Sequence, residues 1–292
     1  MGRRIRRVGT YAPRKQFIYE NLDELLSLET IPEGVHTVRY GPMVGDLLYD
    51  ERPDSSVLLV YFSAAIASTT TWPMFSGVGS AARAGTSLLA FSDPSVALDN
   101  TISTGWTLGD HRHQYHQDVP SIIKKFAGDR AVILVGASAG GFPALHYGAQ
   151  LPESYSVVIN PRTHLLAPPT LLETSFMRRY GGRKIREVVE EIPVKPDRPG
   201  NTVLYLQNSG DHRYFSGHLI PYLQRLPEQH RVFVYLDHWG DGHVPMPKYE
   251  LADLLKALIE DPDKLLSGMS LFSSIDEVYL RHAELSLALT AR

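Results

Sequence analysis

Apolar residues fall along this chain in short blocks, and the blocks alternate with stretches that keep a helical rhythm. The clearest blocks are Ser56–Phe62, Ser87–Phe91, Ala131–Val135, Ser156–Ile159, Thr202–Gln207 and Val232–Leu236. They are too short for buried helices and rich in Val, Leu, Ile and Tyr, which predicts strands covered on both faces. Two earlier strands are predicted at His36–Tyr40 and Leu47–Asp50, separated by turns at Gly41-Pro42 and Gly45. Phe17, Ile18, Leu22, Leu25, Leu26 and Leu28 lie close to an i, i+3, i+4 spacing, which predicts an N-terminal helix packed on the domain. Further helical patterns cover 142–150, 249–259 and 275–289. Strands alternating with helices predict an α/β fold with a mostly parallel central sheet flanked by helices.

On this reading residues 1–34 form an arm and helix packed on the core, 35–260 one domain, and 261–292 a C-terminal helical extension. Three segments are too long for plain connections: 66–86, 92–119 and 161–199. The last sits between two strands and is expected to be a small helical cap insertion.

The richest chemical signal lies at Ala131-Val-Ile-Leu-Val-Gly136-Ala-Ser138-Ala-Gly140-Gly141, an apolar strand running into Gly-x-Ser-x-Gly. A helical pattern follows, so Ser138 is predicted at a sharp strand-to-helix turn that lifts its hydroxyl clear of the sheet. The N–H of Ala139 then lies at a helix N-terminus, where partial positive charge can stabilise an oxyanion. The segment lacks the Gly-Lys-Ser/Thr ending of a phosphate-binding loop and does not match Gly-x-Gly-x-x-Gly.

A serine hydroxyl needs a base to take its proton and an acid to orient that base. Both are expected at the ends of later strands. Thr202–Gln207 leads to Asn208-Ser-Gly-Asp211, and Val232–Leu236 leads to Asp237-His-Trp-Gly-Asp-Gly-His243. Asp211 and His243 are the preferred pair. His212 and His238 are competing bases, and Asp237 and Asp241 competing acids, but both acids share the histidine's own loop. The second oxyanion donor is expected after Ser56–Phe62, from the N–H of Ala64 or Ala65. Trp72, Phe75 and Trp106, on the long segments that follow, are candidate substrate-binding residues.

With Gly136-Ala-Ser138-Ala-Gly140, Asp211 and Gly242-His243 in this order, the chain resembles the α/β-hydrolases over roughly residues 35–260. It departs at Phe62-Ser63, where many members carry His-Gly. The resemblance implies a serine hydrolase, in particular a carboxylic-ester hydrolase, working through an acyl-enzyme without a cofactor, with the cap as a lid. The same residues would serve an acyltransferase that passes the acyl group to a glycan or another alcohol. A catalytically silent scaffold with a binding role is the alternative of a different class.

Composition narrows the partners. A formal net charge of −3 argues against a nucleic-acid binder. The absence of cysteine excludes disulfides and thiol chemistry. Histidines at 111, 113 and 116 invite a metal reading, yet no second ligand cluster accompanies them, and no metal is expected. The arginines at 3, 4, 6 and 7 are followed by no apolar signal segment and are expected to form a solvated arm. No apolar run is long enough to span a membrane, which leads to a cytoplasmic expectation. The expected partner is a small-molecule or glycan ester. The apolar face of 275–289 docks either on its own domain or on another subunit of a homo-oligomer.

Overall fold

The structure, a computed structural model, describes residues 3–110, 112–113, 115–165, 176, 201–226, 231–268 and 271–290. Its strands are β1 (Gln16–Tyr19), β2 (Gly34–Tyr40), β3 (Met43–Asp50), β4 (Val57–Phe62), β5 (Ser87–Phe91), β6 (Ala131–Ala137), β7 (Tyr155–Ile159), β8 (Thr202–Asn208) and β9 (Val232–Asp237). They form one sheet in the order β1-β2-β3-β5-β4-β6-β7-β8-β9. Only the β2–β3 and β3–β5 pairs are antiparallel. From β5 to β9 every pair is parallel, so the C-terminal ends of β4, β6, β7, β8 and β9 meet along one edge.

Period-two alternation divides the core into two layers. In β4, Leu58 and Val60 face one cluster while Val57 and Leu59 face the other. The first layer takes in α1 (Leu22–Leu26), α3 (Tyr115–Ala127) and α4 (Gly141–Gly148) through Leu25, Ile122, Phe126, Phe142 and Leu145. The second is closed by α2 (Val78–Ala84) and α5 (Lys248–Glu260) through Ala81, Leu251, Leu255 and Leu258.

The N-terminus differs from the sequence reading in two ways. The predicted helix over 17–28 begins instead as β1, which pairs in parallel with β2, and only Leu22–Leu26 is helical. Asn21 separates the two by accepting the Glu24 N–H at 3.0 Å as the helix cap. Phe17, Ile18 and Tyr19 suit a pleated edge as well as a helix face, and the free edge of β2 decides between them.

Two of the four arginines depart from a solvated arm, while Arg3 and Arg7 are exposed. Arg4 is buried and donates to the carbonyls of Ala67, Thr70 and Ile102 at 2.7, 2.7 and 2.9 Å. Burial holds its guanidinium below the ordinary arginine range, opposed by the charge of Asp93. Arg6 grips the buried Asp46 through Nε and Nη2. These contacts tie the first residues of the chain to the long segment after β4.

The C-terminal α6 (Ile275–Thr290) packs on its own domain through Val278, which is fully buried, and His282, which hydrogen-bonds Ser216 Oγ at 3.0 Å. Most of the predicted cap, 161–199, lies outside the described residues. Among the described residues no helix is long and apolar enough to cross a membrane.

Candidate active site

β6 leads directly into Ser138, whose φ of 52° places it in the left-handed region rarely used by residues with a side chain. A Cβ on Gly136 would lie 2.0 Å from the Gly140 carbonyl oxygen, and one on Gly140 would lie 2.5 Å from that of Phe62. Only glycine at both positions lets the turn close against β4. The Arg162 N–H donates to the Ser138 carbonyl at 2.9 Å, tying the turn to the segment after β7.

The other two groups come from neighbouring strand ends. Ser138 Oγ–H donates to His243 Nε2 at 2.8 Å, and His243 Nδ1–H donates to Asp211 Oδ2. Asp211 is buried and caps the short helix His212–Tyr214 by accepting the Tyr214 N–H on its other oxygen. One carboxylate thus orients the imidazole and fixes the start of the next helix. The competing groups lie elsewhere. His238 pairs with Asp241 at 3.8 Å on the surface, and Asp237 accepts from its neighbour's N–H and from Tyr235.

Two asparagines hold the histidine loop from below. Asn208, ending β8, donates to the carbonyls of Gly240 and Gly242, both at 2.8 Å, and accepts from the Trp239 N–H. Asn160, just past β7, donates to the Val244 carbonyl at 2.8 Å and accepts from the Asn208 N–H at 2.7 Å. The carbonyls flanking His243 on both sides are therefore anchored to the sheet. On its outer face the imidazole meets the Tyr214 ring, with centroids 4.0 Å apart and planes at 29°. Tyr214 in turn lies against the ring of the buried His218. Burial, helped by Arg162, His164 and His243, pushes the His218 imidazole down to about 3, so it is neutral.

Solved structures share this arrangement of strands and helices. The capsule O-acetyltransferase of Neisseria meningitidis serogroup A superimposes with a TM-score of 0.60 at 13% identity, over 82% of this chain and 99% of that one. An esterase from Pyrobaculum calidifontis does so with a TM-score of 0.52 at 15% identity, over 82% and 88%. This is the α/β-hydrolase fold. No protein-family model matches the sequence, and no curated protein is similar to it.

In the α/β-hydrolase fold, the turn carrying Ser138 occupies the place where a nucleophile elbow is expected, and the loop after β4 the place where a second oxyanion donor is expected. Ala139 is buried in the first turn after the serine. Ala64 and Ala65 are exposed, and among the described residues their N–H groups make no hydrogen bond. The tryptophans sit differently from the sequence reading. Trp72 is 2% exposed and donates from Nε1 to the Asp93 carbonyl, with Arg6 above its ring. Trp106 is equally buried and meets Phe176 edge-on. Both rings are packed into the core rather than presented on a wall. Phe75 is half-buried against Tyr11. The histidine-rich stretch is held by Asp110, which accepts from His113 Nδ1–H at 2.8 Å and from the Arg112 and His113 N–H groups.

Asn160, Asn208 and Tyr214 escape the sequence reading. Asn160-Pro and Asn208-Ser-Gly look like ordinary turn formers, and their position at two adjacent strand ends is the one signal that marks them.

Proposed function

We propose that this protein is a serine hydrolase acting on carboxylic esters, with Ser138 as nucleophile, His243 as base and Asp211 as the group orienting it. The observation that carries the reading is the 2.8 Å hydrogen bond from Ser138 Oγ to His243 Nε2, made by a serine held at φ 52°. His243 Nε2 takes the hydroxyl proton as Oγ bonds to the acyl carbon, and the carbonyl oxygen becomes an oxyanion. Ala139 N–H and that of Ala64 or Ala65 receive the oxyanion. The same imidazole returns the proton to the leaving alcohol as the ester C–O bond breaks. Water then repeats the sequence on the acyl-enzyme, releasing the acid and restoring the serine. Asp211 keeps Nδ1 protonated, so Nε2 is free to accept throughout.

The likeness to a capsule O-acetyltransferase, one structure of which is a complex with CoA, supports a second reading. There the alcohol of a glycan or similar acceptor replaces water in the second half-reaction, and the acyl group is transferred rather than released.

Intact mass after exposure to a fluorophosphonate tests the chemistry. One adduct is expected on the native protein, none on Ser138→Ala, and a greatly slowed one on His243→Ala. A folded native protein that takes no adduct would sink both readings. Product analysis with and without an added acceptor alcohol separates them.

A further inference from the structure

A cleft of about 440 Å³ opens beside the elbow, between α2 and α5. Its inner wall includes Ala137, which precedes Ser138, and Ala64 of the loop after β4. The floor is largely apolar, from Tyr61, Leu251 and Ala252, while Ser76, Arg83 and Lys248 bring polar groups to the lining. The volume falls within the range of small-molecule sites. The lining holds two cations and no carboxylate. Both cations are exposed, and neither Arg83 nor Lys248 has a hydrogen bond or ion pair among the described residues. Lys248 opens α5, five positions after His243, and Arg83 lies in the last turn of α2. At the helical rise per residue, Arg83 stands about 9 Å along α2 from Gly77.

We infer that this cleft is a substrate subsite for an acyl ester whose apolar stem ends in a phosphate group. The stem lies along the apolar floor, with its ester at Ser138, and the phosphate meets Arg83 and Lys248. Two full positive charges match a phosphate better than a carboxylate. A planar guanidinium and an ammonium supply donors enough for three phosphate oxygens. That this pocket serves a substrate rests on the proposed role of Ser138; that it binds phosphate does not.

Two measurements on the full chain test it. Calorimetry with pyrophosphate should show one binding event. It should weaken by about tenfold or more in Arg83→Gln/Lys248→Gln, the effect of roughly one charge-assisted hydrogen bond. The exposed Lys264→Gln variant, on the short helix after α5, should bind like the native protein. Both cleft side chains are exposed, so the double variant should fold. The second measurement compares kcat/KM for acetoxybutyl phosphate and acetoxybutanol, which differ only in the terminal phosphate. A preference of about tenfold for the phosphate ester is expected, vanishing in the double variant. Absent pyrophosphate heat, equal weakening in Lys264→Gln, or glutarate binding as well as pyrophosphate would overturn the phosphate site. Pyrophosphate binding with no preference between the esters would overturn the subsite. If Ser138 takes no fluorophosphonate adduct while pyrophosphate still binds, it is the hydrolase reading that fails, and the substrate role of the cleft falls with it.

Discussion

The Tyr214 ring lies face to face with the His243 imidazole, 4.0 Å away, and its own N–H is fixed by the carboxylate that orients that imidazole. A tyrosine face attracts positive charge, so in the proposed mechanism it would favour the imidazolium formed as the serine gives up its proton. Tyr214→Leu keeps bulk but loses the face, and kcat/KM for a simple ester should fall several-fold, corresponding to about 1 kcal/mol. Tyr214→Phe keeps the face and should restore most of the rate. If Phe and Leu behave alike in initial-rate measurements, the ring contact is only packing.

The asparagine pair makes a separate claim about the histidine loop. Asn208→Ala would strip donors from the Gly240 and Gly242 carbonyls. A stability loss of roughly 1–3 kcal/mol is expected by urea unfolding, the range for buried polar groups left unpaired. Fluorophosphonate labelling of Ser138 should slow as well, because His243 is no longer held from beneath. Asn160 sits at φ 40°, so Asn160→Gly keeps the backbone conformation while deleting both side-chain bonds. Labelling at the native rate in Asn160→Gly would show that only the backbone conformation matters there.

Glycine substitutions should divide sharply by position. Gly140→Ala drives a methyl into the Phe62 and Ser63 carbonyls, and Gly79→Ala meets nothing within 4 Å. The first should cost about 3 kcal/mol or more, given that its obstacle is backbone. The second should leave the thermal midpoint near native or raise it, since alanine favours the helix. Scanning calorimetry on the two proteins is sufficient.

Three buried histidines should weaken the fold as the pH falls. Burial pushes His36 and His146 down to about 4 and His218 to about 3, from an ordinary 6.5. Their folded values lie below the unfolded one, so the unfolded chain binds protons first as pH falls. Their contribution is complete above about pH 6.5 and is lost progressively as the pH falls toward about 4 for His36 and His146 and about 3 for His218. His146 stacks on Phe142 and has no partner for Nδ1, so His146→Leu removes one titrating group at little packing cost. Between pH 6 and 4.5 its stability curve should be shallower by about 1 kcal/mol per pH unit. An unchanged slope would mean that His146 is protonated equally in both states.

The sharp strand-to-helix turn at Ser138 was legible because two independent patterns coincide there, an apolar strand and glycines two positions either side of the serine. Asp211 and His243 could be named because each follows a strand block within a few residues. The edge strand β1 was not, since Phe17, Ile18 and Leu22 fit a helix face as well, and pairing with β2 is a long-range event. The arginine cage around Arg4 was hidden for a related reason: its acceptors are backbone carbonyls more than sixty positions away, which no side-chain pattern announces. Trp72 and Trp106 were read as pocket walls from their position after strands, but bulk alone does not distinguish a wall from a core.

Ser138 and His243 stand 105 positions apart, and His243 and Asp211 stand 32 apart. Between the first two the chain must lay β7, β8 and β9 side by side before the imidazole can arrive. Under the proposed mechanism the serine is thus inert on a nascent or partly refolded chain, however early its own strand and turn form. Reactivity toward a serine probe becomes a clock for the last stage of assembly. In refolding it should trail the recovery of far-ultraviolet signal, by the time the β9 loop takes to close.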